Sequence, residues 1–178
     1  DGITGALLNI LNAVCRLYLT VIRGTPTMVQ LLLMFFVFLA SSNNKVMVAI
    51  LTFGINSGAY VAEIFRSGIM SIDKGQMEAG RSLGLSYPVT MQKIILPQAI
   101  KNVLPALVNE MITLLKETSI CGYIGLNELT RGGDIIRGNT FEALLPLLAV
   151  AAIYLIIVMF FTWVMSKLER RLRESDNR

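Results

Sequence analysis

Two apolar stretches of the chain carry polar and charged residues at helical spacing. Asn56, Tyr60 and Glu63 fall in a run from about 46 to 65. Asn109, Glu110, Thr113, Lys116 and Glu117 fall in another, from 103 to 121. At 3.6 residues per turn, Asn109, Thr113 and Lys116 share the side of Pro105, with Glu110 and Glu117 next to them. Leu107, Val108, Met111, Ile112, Leu114 and Leu115 fill the other side. Such a face implies an aqueous path inside the bundle. The competing reading is a structural pairing of Lys116 with Glu117 or Glu110. A charge at the centre of a bilayer costs about 2.5–3.5 kcal/mol on insertion scales. Several on one helix therefore imply water or protein against that face.

Catalysis is a poorer reading. The chain has no histidine, the commonest acid–base catalyst and metal ligand. No Gly-rich loop ends in Gly-Lys-Ser/Thr, so ATP is not bound through a P-loop of this chain. No cofactor or metal is expected.

The elements that must position these residues are membrane helices. Mean hydropathy is +0.62, and 16% of the 178 residues are charged, against roughly 25% in ordinary soluble domains. The deficit concentrates in four stretches, about 26–41, 46–62, 103–120 and 140–165. A crossing needs about 20 mostly apolar residues, so the first needs flanking residues or a kink. These observations predict an all-α, polytopic transmembrane bundle with crossings near 24–41, 46–65, 103–121 and 140–165. A soluble protein of four buried helices is the alternative.

Charge placement gives the orientation. With both termini cytoplasmic and four crossings, 12 Lys and Arg lie inside. Only Lys45, Arg131 and Arg137 lie outside, and Lys116 lies within a helix, which accounts for all 16. Positive residues stay on the cytoplasmic side, so the net charge of +4 is a topology signal. Basic residues beside a membrane meet anionic lipid headgroups, and no nucleic acid partner is implied. Cys15 and Cys121 fall on opposite sides, which argues against a disulfide.

Residues 1–23 read as an interfacial amphipathic helix, with a poor spanning helix as the second reading. Thr25 suits an N-cap and Pro26 a first helical position. Gly54, Gly58 and Ala62 form a small-residue stripe fit for close helix packing. Residues 66–102 form one long polar insert, predicted to hold short helices at Lys74–Leu83 and Pro88–Leu96. Gly84 would end the first and Pro88 start the second. Residues 120–139 read as a glycine-containing outer loop.

Within the insert, Glu78-Ala79-Gly80-Arg81-Ser82-Leu83-Gly84 is followed by nine residues and then Ile94-Ile95-Leu96-Pro97. This resembles the EAA signature of ABC importer permeases: Glu-Ala-Ala, three residues, Gly, nine residues, Ile, one residue, Leu-Pro. One position departs, Gly80 standing for the second Ala. Arg23-Gly24-Thr25-Pro26 with Gln30, Asn56-Ser57-Gly58-Ala59-Tyr60 through Glu63, and Leu107-Val108-Asn109-Glu110 through Lys116-Glu117-Thr118-Ser119 resemble the polar amino acid uptake branch. Members usually carry one more N-terminal crossing, so four of five are expected here, and the start at Asp1 fits a fragment.

The resemblance implies a permease subunit of the bacterial inner membrane, pairing with a second permease, identical or related. It implies docking of an ABC ATPase dimer through Glu78, Ala79, Gly80, Gly84, Ile94, Leu96 and Pro97. An extracytoplasmic amino-acid-binding protein would deliver the substrate to Asn56, Tyr60, Glu63, Asn109, Glu110 and Lys116. A passive channel with a polar-lined helix, or a structural scaffold, are the other readings; neither accounts for the spaced cytoplasmic signature.

Overall fold

The computed structural model describes residues 2–174, and the side chains of residues 5–167. The described residues form helices and turns, without strands. In chain order the helices are α1 (Gly2–Gly24), α2 (Thr27–Leu33), α3 (Lys45–Met70), α4 (Lys74–Ser82), α5 (Tyr87–Thr90), α6 (Leu96–Glu117), α7 (Leu129–Thr140) and α8 (Leu144–Glu174). The chain divides into two compact units. Asp1–Tyr60 and Glu117–Leu147 form the first; Val61–Lys116 and Leu148–Arg178 form the second.

By length and composition, Gly5–Gly24 of α1, α3, and Leu144–Lys167 of α8 can each cross a membrane. Thr27–Phe38 is apolar but shorter. The sequence reading divides the same apolar length differently, with 1–23 in the interface and the first crossing at 24–41. Helix α6 does not reach that apolar level, because Asn109, Glu110, Lys116 and Glu117 dilute it. Such a helix crosses only with its polar side against protein or water. At the far end of the chain, the Lys167 ammonium lies 4.6 Å from the centre of the Trp163 ring. An aromatic and a basic residue together suit a membrane–water boundary.

In the first unit, α1 and α2 are separated by Thr25 and Pro26. Pro26, with φ −63° and ψ 134°, takes the cap position itself. The Thr25 hydroxyl instead donates back to the Val21 carbonyl at 2.8 Å. Helix α2 runs into a π-turn, Met34–Phe38. Helix α3 starts where the Asn44 side chain accepts from the Met47 N–H at 3.0 Å, an ordinary N-cap bond. Its buried face is Val48, Ala49, Thr52, Phe53, Asn56 and Ala59. The small-residue stripe lies elsewhere: Gly54, Gly58 and Ala62 are exposed. Tyr18 comes close to it at Gly58, its hydroxyl donating to the Ile55 carbonyl at 2.6 Å.

The segment 120–139 is more ordered than its glycines suggest. A 3-10 turn covers Thr118–Ile124, and Gly125 ends it at φ +77°. Glu128 then caps α7, its carboxylate accepting from the Thr130 and Arg131 N–H groups, both at 2.6 Å. Capping offsets part of what the glycines cost the helix.

In the second unit the polar insert is shorter than its composition suggests. Helix α3 continues to Met70, α4 follows at Lys74–Ser82, and the helical run that leads into α6 starts at Tyr87. The expected second short helix is not separate. Helix α5 passes through a π-turn, Met91–Ile95, directly into α6.

Candidate functional site

Helix α4 is set up at both ends by local chemistry. Asp73 caps its start, accepting from the Gly75 N–H at 2.7 Å. At its end Gly84 adopts φ +81°, a left-handed conformation that glycine alone adopts without strain. The Gly84 N–H then reaches the Arg81 carbonyl at 2.9 Å, and the Leu85 N–H reaches the Gly80 carbonyl at 3.1 Å. That pair of bonds is a Schellman end. The expected stop at Gly84 therefore has a definite geometric reason.

The second half of the signature encodes a register slip. Pro97 has no N–H to give to the Lys93 carbonyl. One residue earlier, the Leu96 N–H bonds to the Met91 carbonyl, five residues back. The slip from four-residue to five-residue spacing thus ends where proline removes a donor. The Gln98 amide adds a donor to the Ile94 carbonyl at 2.8 Å.

The seven residues of the signature separate by exposure. Glu78, Ala79, Gly84 and Pro97 are exposed, Ile94 and Leu96 are half-buried, and Gly80 is buried. Sequence reasoning passed over Leu83, Tyr87 and Val89. All three are apolar and exposed on this element, a pattern that fits an interaction surface. The signal was present as apolar residues in an otherwise polar segment.

The polar side chains of α3 and α6 lie as follows. In the first unit Asn56 is 1% exposed, and its amide donates to Gln30 Oε1 at 2.9 Å. Gln30 in turn donates to the Ile22 carbonyl at 2.7 Å, the Thr25 hydroxyl at 2.8 Å and the Thr25 carbonyl at 3.1 Å. Ile22 would normally receive the N–H of residue 26, but Pro26 has none. Gln30 replaces that donor, and Asn56 holds Gln30. Tyr60 is half-buried, with the Arg23 guanidinium 5.7 Å from its ring centre. In the second unit Glu63 is half-buried and paired with Arg66 one helical turn on. On α6, Asn109, Thr113 and Lys116 are exposed and Glu110 is half-buried. Leu107, Val108, Ile112, Leu114 and Leu115 are half-buried, and Met111 is exposed. The polar side is thus the more open one, as an amphipathic helix packed on its apolar side requires. Among the described residues no group of three His, Cys, Asp or Glu side chains could hold a metal ion. Cys15 is exposed, Cys121 is buried, and both are free.

Residues 2–174 match the family described as binding-protein-dependent transport system inner membrane component. The chain belongs to that family. It is 37% identical over 191 residues to the arginine transport system permease protein ArtQ of Bacillus subtilis, covering 99% of this chain and 87% of that protein. It is 42% identical over 168 residues to the glutamine transport system permease protein GlnP of Escherichia coli, covering 92% and 77%. A solved amino acid ABC transporter with histidines superposes with TM-score 0.82 at 43% identity, covering 96% of this chain and 78% of that one. An inward-facing structure of the MetNI methionine ABC transporter shares the fold, with TM-score 0.73 at 19% identity. The permease is an inner-membrane transport subunit, not an enzyme, and ATP hydrolysis in such transporters lies on separate subunits. The spaced signature is therefore that of an ABC permease, folded as α4 and the α5–α6 turn.

Proposed function

We propose that the permease moves a polar amino acid inward across the membrane. Coupling to an ATPase dimer runs through the segment 66–102 on the cytoplasmic side. The observation that carries this reading is the open polar side of α6, with Asn109, Thr113 and Lys116 exposed above a half-buried apolar side. A membrane helix keeps such a face only against water, substrate or a partner subunit. Its groups match both ends of a zwitterion: Glu110 suits the ammonium and Lys116 the carboxylate. The arginine and glutamine permeases among the relatives fit a polar amino acid as cargo. On α3, Glu63 belongs to the same proposal, and Tyr60 is a separate candidate contact. Asn56 acts instead through Gln30, because its amide donates there and the residue is buried.

The partners we propose are a second permease, identical or related, an extracytoplasmic amino-acid-binding protein and an ABC ATPase dimer. The basic residues Lys74, Arg81 and Lys93 support a cytoplasmic position for the coupling segment. Two conformations, biased by ATP and by ligand, then alternate access to the path.

The test is uptake by the reconstituted transporter, with ATPase subunits and binding protein in place. Uptake is expected to require ATP, and Asn109→Ala with Glu110→Gln should lower it at unchanged protein levels. Unaltered transport of every amino acid tried would remove α6 from the substrate path. Flux without ATP would instead favour a passive pore.

A further inference from the structure

Gly80 is the one position at which this chain departs from the permease signature. Its surroundings give the departure a cause. A Cβ built on Gly80 would lie 2.5 Å from Thr90 Cγ2, 3.0 Å from Thr90 Oγ1 and 3.3 Å from Ile94 Cδ1. The first distance is far inside van der Waals contact. Thr90 has no exposed surface, is branched at Cβ and so has few rotamers in a helix, and its hydroxyl donates to the Ser86 carbonyl at 3.1 Å. The alanine that the signature usually carries does not fit over Thr90 as it stands.

The contact lies at a mechanically significant place. Helix α4 is the docking element of the proposed function, and Thr90 closes α5 just before the π-turn that leads into α6. Nearby, Asn102 on α6 donates to the Ser71 hydroxyl after α3 at 2.9 Å. A Cβ on Gly68 of α3 would lie 2.3 Å from Val103 Cγ2 of α6. Close backbone approach thus ties α4 to α5 and the π-turn at Gly80, and α3 to α6 at Gly68. Tightly packed contacts transmit displacement, because they are not continuously deformable.

We propose that Gly80 and Thr90 form a matched pair of positioning residues. Their combined volume sets how α4 sits on the root of α6, and through it how ATPase movement reaches the membrane helices. Gly80 is in this view no docking contact, since it lies on the buried side of α4. The proposal rests on the coupling role given to α4 above.

One consequence is counter-intuitive: restoring the signature's alanine should harm the transporter. In proteoliposomes holding permease, ATPase subunits and binding protein, the quantity to measure is amino acid transported per ATP hydrolysed. Loss of folded protein lowers both rates together and leaves this ratio unchanged, so the ratio isolates coupling. Gly80→Ala should lower it severalfold. Adding Thr90→Ala to the same chain should restore it, since the space of the removed methyl and hydroxyl admits the new Cβ. Thr90→Val, which keeps the branched shape and loses the bond to Ser86, should leave the ratio near wild type. If Gly80→Ala reduces the protein in the membrane, Thr90→Leu with Gly80 native should show the same uncoupling from the other side of the contact. A wild-type ratio in Gly80→Ala, or no recovery on adding Thr90→Ala, overturns the pairing. Absence of ATP-driven uptake by the unaltered transporter overturns the proposed function itself, and is distinguished by that control.

Discussion

Replacing Gln30 with methionine keeps the length of the side chain and removes its amide. In the structure that amide supplies the donor Pro26 lacks, at 2.7 Å from the Ile22 carbonyl, and accepts from the buried Asn56 amide at 2.9 Å. A buried polar group left without a partner costs about 1–3 kcal/mol. Gln30→Met strands two such groups, the Ile22 carbonyl and the Asn56 amide, for a loss of about 2–6 kcal/mol. Asn56→Leu strands only the Gln30 oxygen, for about 1–3 kcal/mol. The double variant strands only the Ile22 carbonyl, so the two losses should fall short of adding by about 2–6 kcal/mol. The buried thiol of Cys121 gives the readout. It belongs to the same unit as Gln30 and Asn56 and is 6% exposed, whereas Cys15 is exposed. With Cys15→Ser as background, heating the detergent-solubilised transporter in the presence of a thiol-reactive dye reports the opening of this unit. Both single variants should label at lower temperature than the background, and the double variant should label above the temperature expected from their sum. Strict additivity would refute the latch, and so would a Gln30→Met variant that labels like the background.

Gly84→Ala forces an alanine into a left-handed conformation, at a cost of about 1–2 kcal/mol; α4 should fray and transport per ATP should fall, whereas a variant coupling normally would count against α4 as the docking element. Glu128→Ala removes the cap of α7 and should destabilise it by about 0.5–2 kcal/mol, read as earlier Cys121 labelling. Glu128→Asp should lose less, and equal losses would show that the two capping bonds contribute little.

Much of the chain was legible because its signals are local. Charge-poor stretches announce membrane helices, since the bilayer penalises charge wherever it stands in sequence, and α3 and α8 fall on two of the four. Gly84 acts on its own backbone neighbours, so the end of α4 follows from residue type. The amphipathic character of α6 was likewise readable from spacing alone. Other features were misplaced at this level. Residues 120–139 read as a loop because five glycines fall there, yet Glu128 and Arg131 organise most of it. Pro88–Leu96 read as a separate helix because its proline suits a helix start, but nothing after it stops the helix.

The sequence by itself thus determined a helical membrane permease, its signature and the polar side of α6. The helices and the polar side follow from hydropathy and period along one chain, and the permease from the family resemblance that the spaced signature carries. Only the tertiary structure decided which face of α3 is buried. Thr52 and Asn56 go inside because Val48 and Gln30 satisfy them, while Gly54, Gly58 and Ala62 stay exposed. Tertiary structure alone also showed why Gly80 is glycine. The residue that excludes a Cβ there is ten positions away and reaches it only when α5 folds back against α4, a distance between side chains that no spacing rule contains.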